Sequence, residues 1–230
     1  MRHQAIAFDV SESVLALGLK GAYFTMGGLN CKESDPEFEE MEDSIEHAIL
    51  SGLSEGKIFD DKILQGFRRL HEAVGVSNKK NVASSENLLT TLLRTGHLPN
   101  INLLVDIYNL VSVQTHLALG AHDLARVKGN IHLKLTSGKE GYWPLGSPEP
   151  KPVRPGCYSY IDDDDDVICW LEVRQVEKTK TTMDTRESFF IIQGNAATDE
   201  QYIAEATNQL ISLVKRFCGG EERMLYASWL

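Results

Sequence analysis

Residues 99–123, PNINLLVDIYNLVSVQTHLALGAHD, hold the stretch whose reading decides the fold: a nearly uninterrupted apolar helix followed by an imidazole and a carboxylate. Apolar side chains recur at helical spacing at Leu103, Leu104, Ile107, Leu110, Val111, Val113 and Leu117, which predicts a helix from Leu103 to Leu117. Asp106 and Asn109, three apart, share one face of it. A carboxamide so placed is either a structural hydrogen-bonder or a ligand-reader. Leu119-Gly120-Ala121 then has the small residues of a helix exit, so His122-Asp123 is expected on a turn, as a general base with its orienting carboxylate or as a hydrogen-bonded anchor.

Working outward, AIAFDVSESVLALGLKGAYF alternates around Gly18 and Gly21 and predicts two short strands forming a hairpin edge. Ser34-Asp35-Pro36 signals a helix start, and the acids that follow read as its solvated face. A helix over 60–74 repeats Phe67, Leu70 and Val74 at core spacing, and another opens at Ser84 and stops at Gly96. From Asn130 the texture changes to short segments, IHLKLT, YWPL, CYSYI, DVICWLEV and SFFIIQG, which predict a sheet or sandwich. A last helix runs from the cap at Thr198-Asp199 through EQYIAEATNQLISLVKRF.

The 230 residues suffice for a substantial core. Cys31, Cys157, Cys169 and Cys218 form no CxxC pair, so reduced thiols in a cytoplasmic protein are expected. No apolar run approaches the ~20 residues that cross a bilayer, and MRHQAIAFDV lacks a signal-peptide layout, so no membrane partner is expected. A net charge of −10 argues against DNA and generic nucleic-acid binding and confines any RNA contact to local patches, Arg68-Arg69, Lys79-Lys80 and Lys178 with Lys180 being candidates. The run Asp162 to Asp166 lacks the Gly and distal Glu of a calcium loop and reads as a hairpin tip. No metal or cofactor site is expected, since no Walker loop, dinucleotide fingerprint, GxSxG elbow or HExxH occurs. In 178–186, KTKTTMDTR, cations and hydroxyls suit phosphate or carboxylate recognition, or cap their own loop.

Taken together, VDIYNLVSVQTHLALGAHDLARVKGNIHLKL, LGSPEPKPVRPGCYSYIDDDDDVICW and DTRESFFIIQG resemble, in order and spacing, the B3/B4 domain of the phenylalanyl-tRNA synthetase beta subunit. The SSENLL helix, the P-x-I-N-x-L-V-D-x-Y-N segment and the G-A-H-D turn resemble free-standing proteins carrying this domain alone. The resemblance implies an α+β fold of three layers, a β-sandwich of unusual topology packed with helices. It implies one domain over 1–230, with 60–220 as family core and 1–59 as a strand and acidic-helix extension. In the synthetase the domain hydrolyses tyrosine wrongly esterified to phenylalanine tRNA. The family's Asn falls on Asn109 and its Thr on Thr185. The editing His falls on Gly120, with His122 two residues on; the editing Glu falls on Ile191, with Gln193 two residues beyond. The downstream H-T-D-A segment has no counterpart.

The expected function is therefore RNA or tRNA binding, with trans hydrolysis of a mischarged aminoacyl-tRNA as its enzymatic form. His122 would activate water and Asp123 orient it, Asn109 and Gln193 would read the amino acid, Thr185 and Arg186 would hold substrate, and Lys178 and Lys180 would meet RNA. The alternatives are a non-catalytic amino-acid or small-molecule binding module and a protein-interaction subunit using its acidic helix.

Overall fold

A computed structural model describes residues 6–230. Met1–Ala5, which carry part of the leader reading and the first residue of the expected N-terminal strand, lie outside them. The elements run β1 (Phe8–Val10), α1 (Glu12–Leu15), β2 (Lys20–Gly27), α2 (Pro36–Leu50), α3 (Glu55–Asp60), α4 (Lys62–Ala73), α5 (Ser84–Thr95), α6 (Leu103–Thr115), β3 (Ala118–Asp123), β4 (Ile131–Leu135), β5 (Tyr158–Asp162), β6 (Val167–Trp170), β7 (Arg174–Gln175), β8 (Glu187–Gly194), α7 (Glu200–Cys218) and β9 (Glu221–Ala227). One sheet has the order β1-β4-β5-β6-β7, the other β3-β8-β2-β9. Among the strands of the described residues β1 and β4 pair in parallel and the other pairs are antiparallel.

Side-chain alternation on β8 builds the layers. Phe189 and Ile191 point into a core shared with Tyr158 and Tyr160 of the five-stranded sheet, while Phe190 and Ile192 point into a core shared with α6 and α7. The result is an α+β fold of sheet, sheet and helices. Phe67 and Leu70 of α4 enter the space between the sheets. Burying an aromatic or aliphatic side chain of this size contributes roughly 1.5–3 kcal/mol.

Local chemistry sets the helix ends. Asn102 caps α6 by accepting from the Val105 amide at 3.2 Å, and Asp61 caps α4 by accepting from Ile63 and Leu64 at 2.9 Å. At the other end of α6, His116 takes the left-handed conformation, φ 59°, and Ser112 Oγ donates to the Leu117 carbonyl.

That early stop corrects the expected helix exit. Residues 118–123 are not a turn but an edge strand, wholly buried, hydrogen-bonded along β8 with Gly120 opposite Ile191 and His122 opposite Phe189. Pairing with a long apolar partner outweighs the local turn signal. The N-terminal hairpin is also corrected: β1 and β2 are separated by α1 and enter different sheets. Within YWPL there is only an isolated bridge at Pro144, and VICWLEV divides into β6 and a turn. The acidic face of α2 is not wholly solvated, for Glu42 and Glu46 are buried. β9, unread in the sequence, covers the outer edge of β2.

Candidate functional site

A cleft opens where α5 and α6 meet β3, β8 and the turn between β6 and β7. Its inner chamber, a cavity of about 40 Å³, is lined by Gly120, Tyr160, Glu172, Gln175, Ile191 and Gln193, among others. Its outer chamber, about 400 Å³, is lined by Lys80, Tyr108, Asn109, Leu145 and Arg174, and the two share Ser84, Leu119, Val173, Arg174 and Gln175. The outer chamber has the size that suits a small organic ligand, whereas the inner one has room for little more than a few water-sized groups.

Glu172 reaches the inner chamber through an unusual turn. Leu171 is fully buried and left-handed, φ 51°, a conformation that bulky side chains rarely adopt. The following carbonyl, of Glu172, accepts from the Ser84 amide at 3.0 Å, tying the turn to the start of α5. The Glu172 carboxylate itself is buried, and a buried carboxylate needs partners. Its Oε1 meets His71 Nε2; its Oε2 accepts from Tyr158 Oη at 2.5 Å and from Gln193 Nε2 at 3.0 Å.

The protonation of this network follows from its geometry. Asn78 Nδ2 donates to the Arg68 carbonyl and to Glu72, both at 3.1 Å, so Asn78 presents Oδ1 to His71 Nδ1 at 2.9 Å. Both ring nitrogens of His71 thus face acceptors, which only the imidazolium satisfies. Burial disfavours that charge, but hydrogen bonds and charge from Glu172, with help from Asn78, hold His71 above its ordinary range. Gln193 is oriented from both ends, since its Oε1 accepts from Tyr160 Oη at 2.6 Å. Tyr160 and Tyr23 hydroxyls lie 3.3 Å apart behind it.

The outer chamber has a different character. Asn109 is only 8% exposed, and its carboxamide makes no hydrogen bond among the described residues. With no protein partner there, this group is open to a ligand in the cleft it lines. Arg174 and Lys80 supply two cations to the same chamber.

The other expected residues lie outside this cleft. His122 is fully buried between the sheets, with Nδ1 bonded to Thr179 Oγ1 at 2.9 Å and Nε2 unpartnered. Burial lowers its pKa to about 3, so the ring is neutral. Asp123 does not orient it: Oδ1 accepts from the Ala125 amide at 2.9 Å and Oδ2 from Thr185 Oγ1 at 3.0 Å. Arg186 donates to the Met183 and Thr185 carbonyls at 2.9 and 3.1 Å. Lys178 is held by Asp162 and Asp166 at 2.9 and 2.6 Å, and Lys180 by Glu177. The tract 178–186 therefore forms a braced connection against β3, reinforced where the Asp123 amide donates to the Thr179 carbonyl.

Sequence reasoning missed Glu172, His71 and Arg174. Two had a signal: Glu172 interrupts an apolar strand-like run, and His71 follows Phe67 at i+4 on the buried face of its helix. Arg174 had none.

The B3/4 domain family model matches residues 68–219. Among solved structures, the chain is similar to an N-terminal fragment of the phenylalanyl-tRNA synthetase beta subunit from Pyrococcus horikoshii, with a TM-score of 0.53 and 15% identity. The likeness covers 97% of this chain and 52% of that one, so the chain spans about half the length of the fragment, and at this identity it concerns the fold. No curated protein matches in sequence. No helix among the described residues is long and apolar enough to cross a membrane, and all four cysteines are free and buried.

Proposed function

The chain belongs to the B3/4 domain family, and from that premise we propose that its cleft binds an aminoacyl group carried on the acceptor end of a tRNA. The carrying observation is the Asn109 carboxamide, which has no protein partner among the described residues and lines a cleft whose inner end is floored by Gly120, Ile191 and Gln193. Those are the positions at which the family resemblance puts the editing residues or their neighbours. Glu172 lines the inner end, but its carboxylate is already held by His71, Tyr158 and Gln193, so the polar groups open to the aminoacyl moiety are those of the outer chamber. In the outer chamber Arg174 and Lys80 are suited to phosphate and Asn109 to the ester or the terminal nucleoside.

Hydrolysis in trans is the enzymatic form of this reading. Water would add to the ester carbonyl and the ribose hydroxyl would leave. A ring as acidic and enclosed as His122 is a poor base for that water, so the cleft's own polar groups would position it.

A second reading, amino-acid binding without tRNA, is favoured by one observation: Lys178 and Lys180 are already paired with carboxylates, which removes the expected basic approach. The test is to incubate the purified chain with correctly and wrongly charged tRNAs and, separately, to titrate free amino acids by calorimetry. Deacylation or salt-dependent tRNA binding, lost in Asn109→Ala, supports the first reading. Salt-independent binding of a free amino acid alone moves the assignment to the second. No interaction with either class sinks both.

A further inference from the structure

Between the start of α2 and the start of α6 lies a second chamber of about 210 Å³ that shares no lining residue with the cleft. Four of its lining side chains, Glu33, Glu39, Glu42 and Asp106, are carboxylates, and Phe38 and Ile101 supply apolar wall. A fifth acid there, Asp35, is already engaged: it caps α2 through the Glu37 amide and meets Lys32 Nζ at 3.3 Å.

Glu42 sets this chamber apart from an ordinary acidic surface. Its residue is only 6% exposed, Oε1 is out of solvent contact, and neither oxygen has a hydrogen-bond donor among the described residues. A carboxylate taken out of water without a donor is strongly disfavoured. Its charged neighbours, Glu39, Asp43 and Glu46 on α2 and Asp106 on α6, are all acids. In its ionised form Glu42 has no donor among the described residues, and a bound cation would supply one. Among the described residues no three potential ligands converge closely enough to hold a metal ion. A chamber of this width with apolar wall is matched instead to an elongated cation, whose methylenes lie on Phe38 and Ile101 while its charged head donates several hydrogen bonds.

We propose that this chamber is a separate binding site for an alkylammonium or alkylguanidinium group, held by Glu42 with Glu39 and Asp106. The acid chemistry of the chamber agrees with this. Burial and the neighbouring acids push Glu42 up to about 8, and burial pushes Asp106 up to about 6, so protons occupy these groups when no cation does. Glu46 is also raised by burial, against the Leu98 amide that donates to it at 2.6 Å and the nearby His97 and His47. A bound cation would displace the Glu42 proton.

The full chain should be titrated by calorimetry with agmatine and putrescine, with a short amide-capped peptide containing one Arg, and with Mg²⁺. Saturable binding of an amine or guanidine probe is expected, weakened by about tenfold or more in Glu42→Gln and tightening from about pH 6.5 to about pH 8.5. Glu42→Gln exchanges a protonated acid for a neutral amide of the same shape and is expected to fold, which thermal melting checks; tRNA deacylation in the same variant, unchanged, separates this site from the cleft. Tighter binding of the free amines than of the peptide identifies a free polyamine-type ligand, and the reverse identifies a basic side chain. Failure of every organic cation to bind, equal binding to Glu42→Gln, or preference for Mg²⁺ would overturn the assignment.

Discussion

The side-chain amide of Gln175 lies over Gly120 so closely that a Cβ at residue 120 would stand 2.7 Å from its Nε2. The glycine thus serves the cleft rather than a helix exit, leaving room for a β7 side chain above β3 where inner and outer chambers join. The contacted atom is the far end of a flexible side chain, so it can move. Gly120→Ala is expected to cost less than about 1 kcal/mol in urea unfolding. Gly120→Val, which intrudes further, should reduce aminoacyl-group binding or deacylation at least tenfold, roughly 1.4 kcal/mol. A fully active Gly120→Val variant would remove the inner chamber from the proposal.

Asn109 offers a test of anchoring against ligand reading. Its carboxamide has no partner among the described residues, so Asn109→Ala should change stability by no more than about 0.5–1 kcal/mol while lowering ligand affinity clearly. A loss above about 2 kcal/mol with unchanged binding would mark the residue as structural instead.

His71 and Glu172 form a buried ion pair, and removing one partner strands the other. His71→Ala is expected to destabilise by roughly 3–5 kcal/mol, and Glu172→Ala comparably. The pH dependence has a definite sign. Because His71 is held above its unfolded value of 6.5, its contribution is fully present below that value and is lost as pH rises through the folded one. Urea midpoints measured from about pH 6 upward should therefore decline in the wild type and flatten in His71→Gln.

His122 has the opposite sign. Its folded value of about 3 lies below the unfolded 6.5, so its contribution is present above 6.5 and is lost as pH falls toward 3. The loss is on the order of 4 kcal/mol across that window. His122→Gln should show a flatter acid limb, and the His122 ring resonances in NMR should hold constant while those of exposed histidines titrate. A His122 resonance titrating near neutrality would contradict the burial described here.

Much of the architecture was legible because it depends on periodicity. The apolar repeat of α6, the cap at Asp199 before α7 and the aromatic alternation of β8 are each local patterns, and each element formed where its pattern lies. The reading failed where a distant partner outweighed a local signal. Gly120 beside Ala121 reads as a helix exit, but six residues of backbone pairing with β8 make it a strand. The acids of α2 read as a solvated face, but α2 packs against α5, α6 and the loop before α6 so that Glu42 and Glu46 turn inward.

The candidate site was legible only in part. Asn109 and Gln193 could be singled out because they are polar groups within apolar segments, Asn109 falling on the family's pattern and Gln193 two residues beyond it. His122 met the same criterion, yet it faces a closed intersheet space and not the cleft. Whether a polar side chain meets solvent, a ligand or another side chain is set by non-local packing.

The sequence by itself thus determined the class of fold and the family, because hydrophobic period, capping residues and motif order are carried by neighbours along the chain. Only the tertiary structure decided which groups converge. His71 and Glu172 stand 101 residues apart yet share one proton-bearing contact, Gln193 is oriented by Tyr160 and Glu172, and Lys178 is neutralised by Asp162 and Asp166. Charge state, burial and hydrogen-bond satisfaction arise from distances across the fold, and those distances exist only once the two sheets and the helical layer have closed on one another.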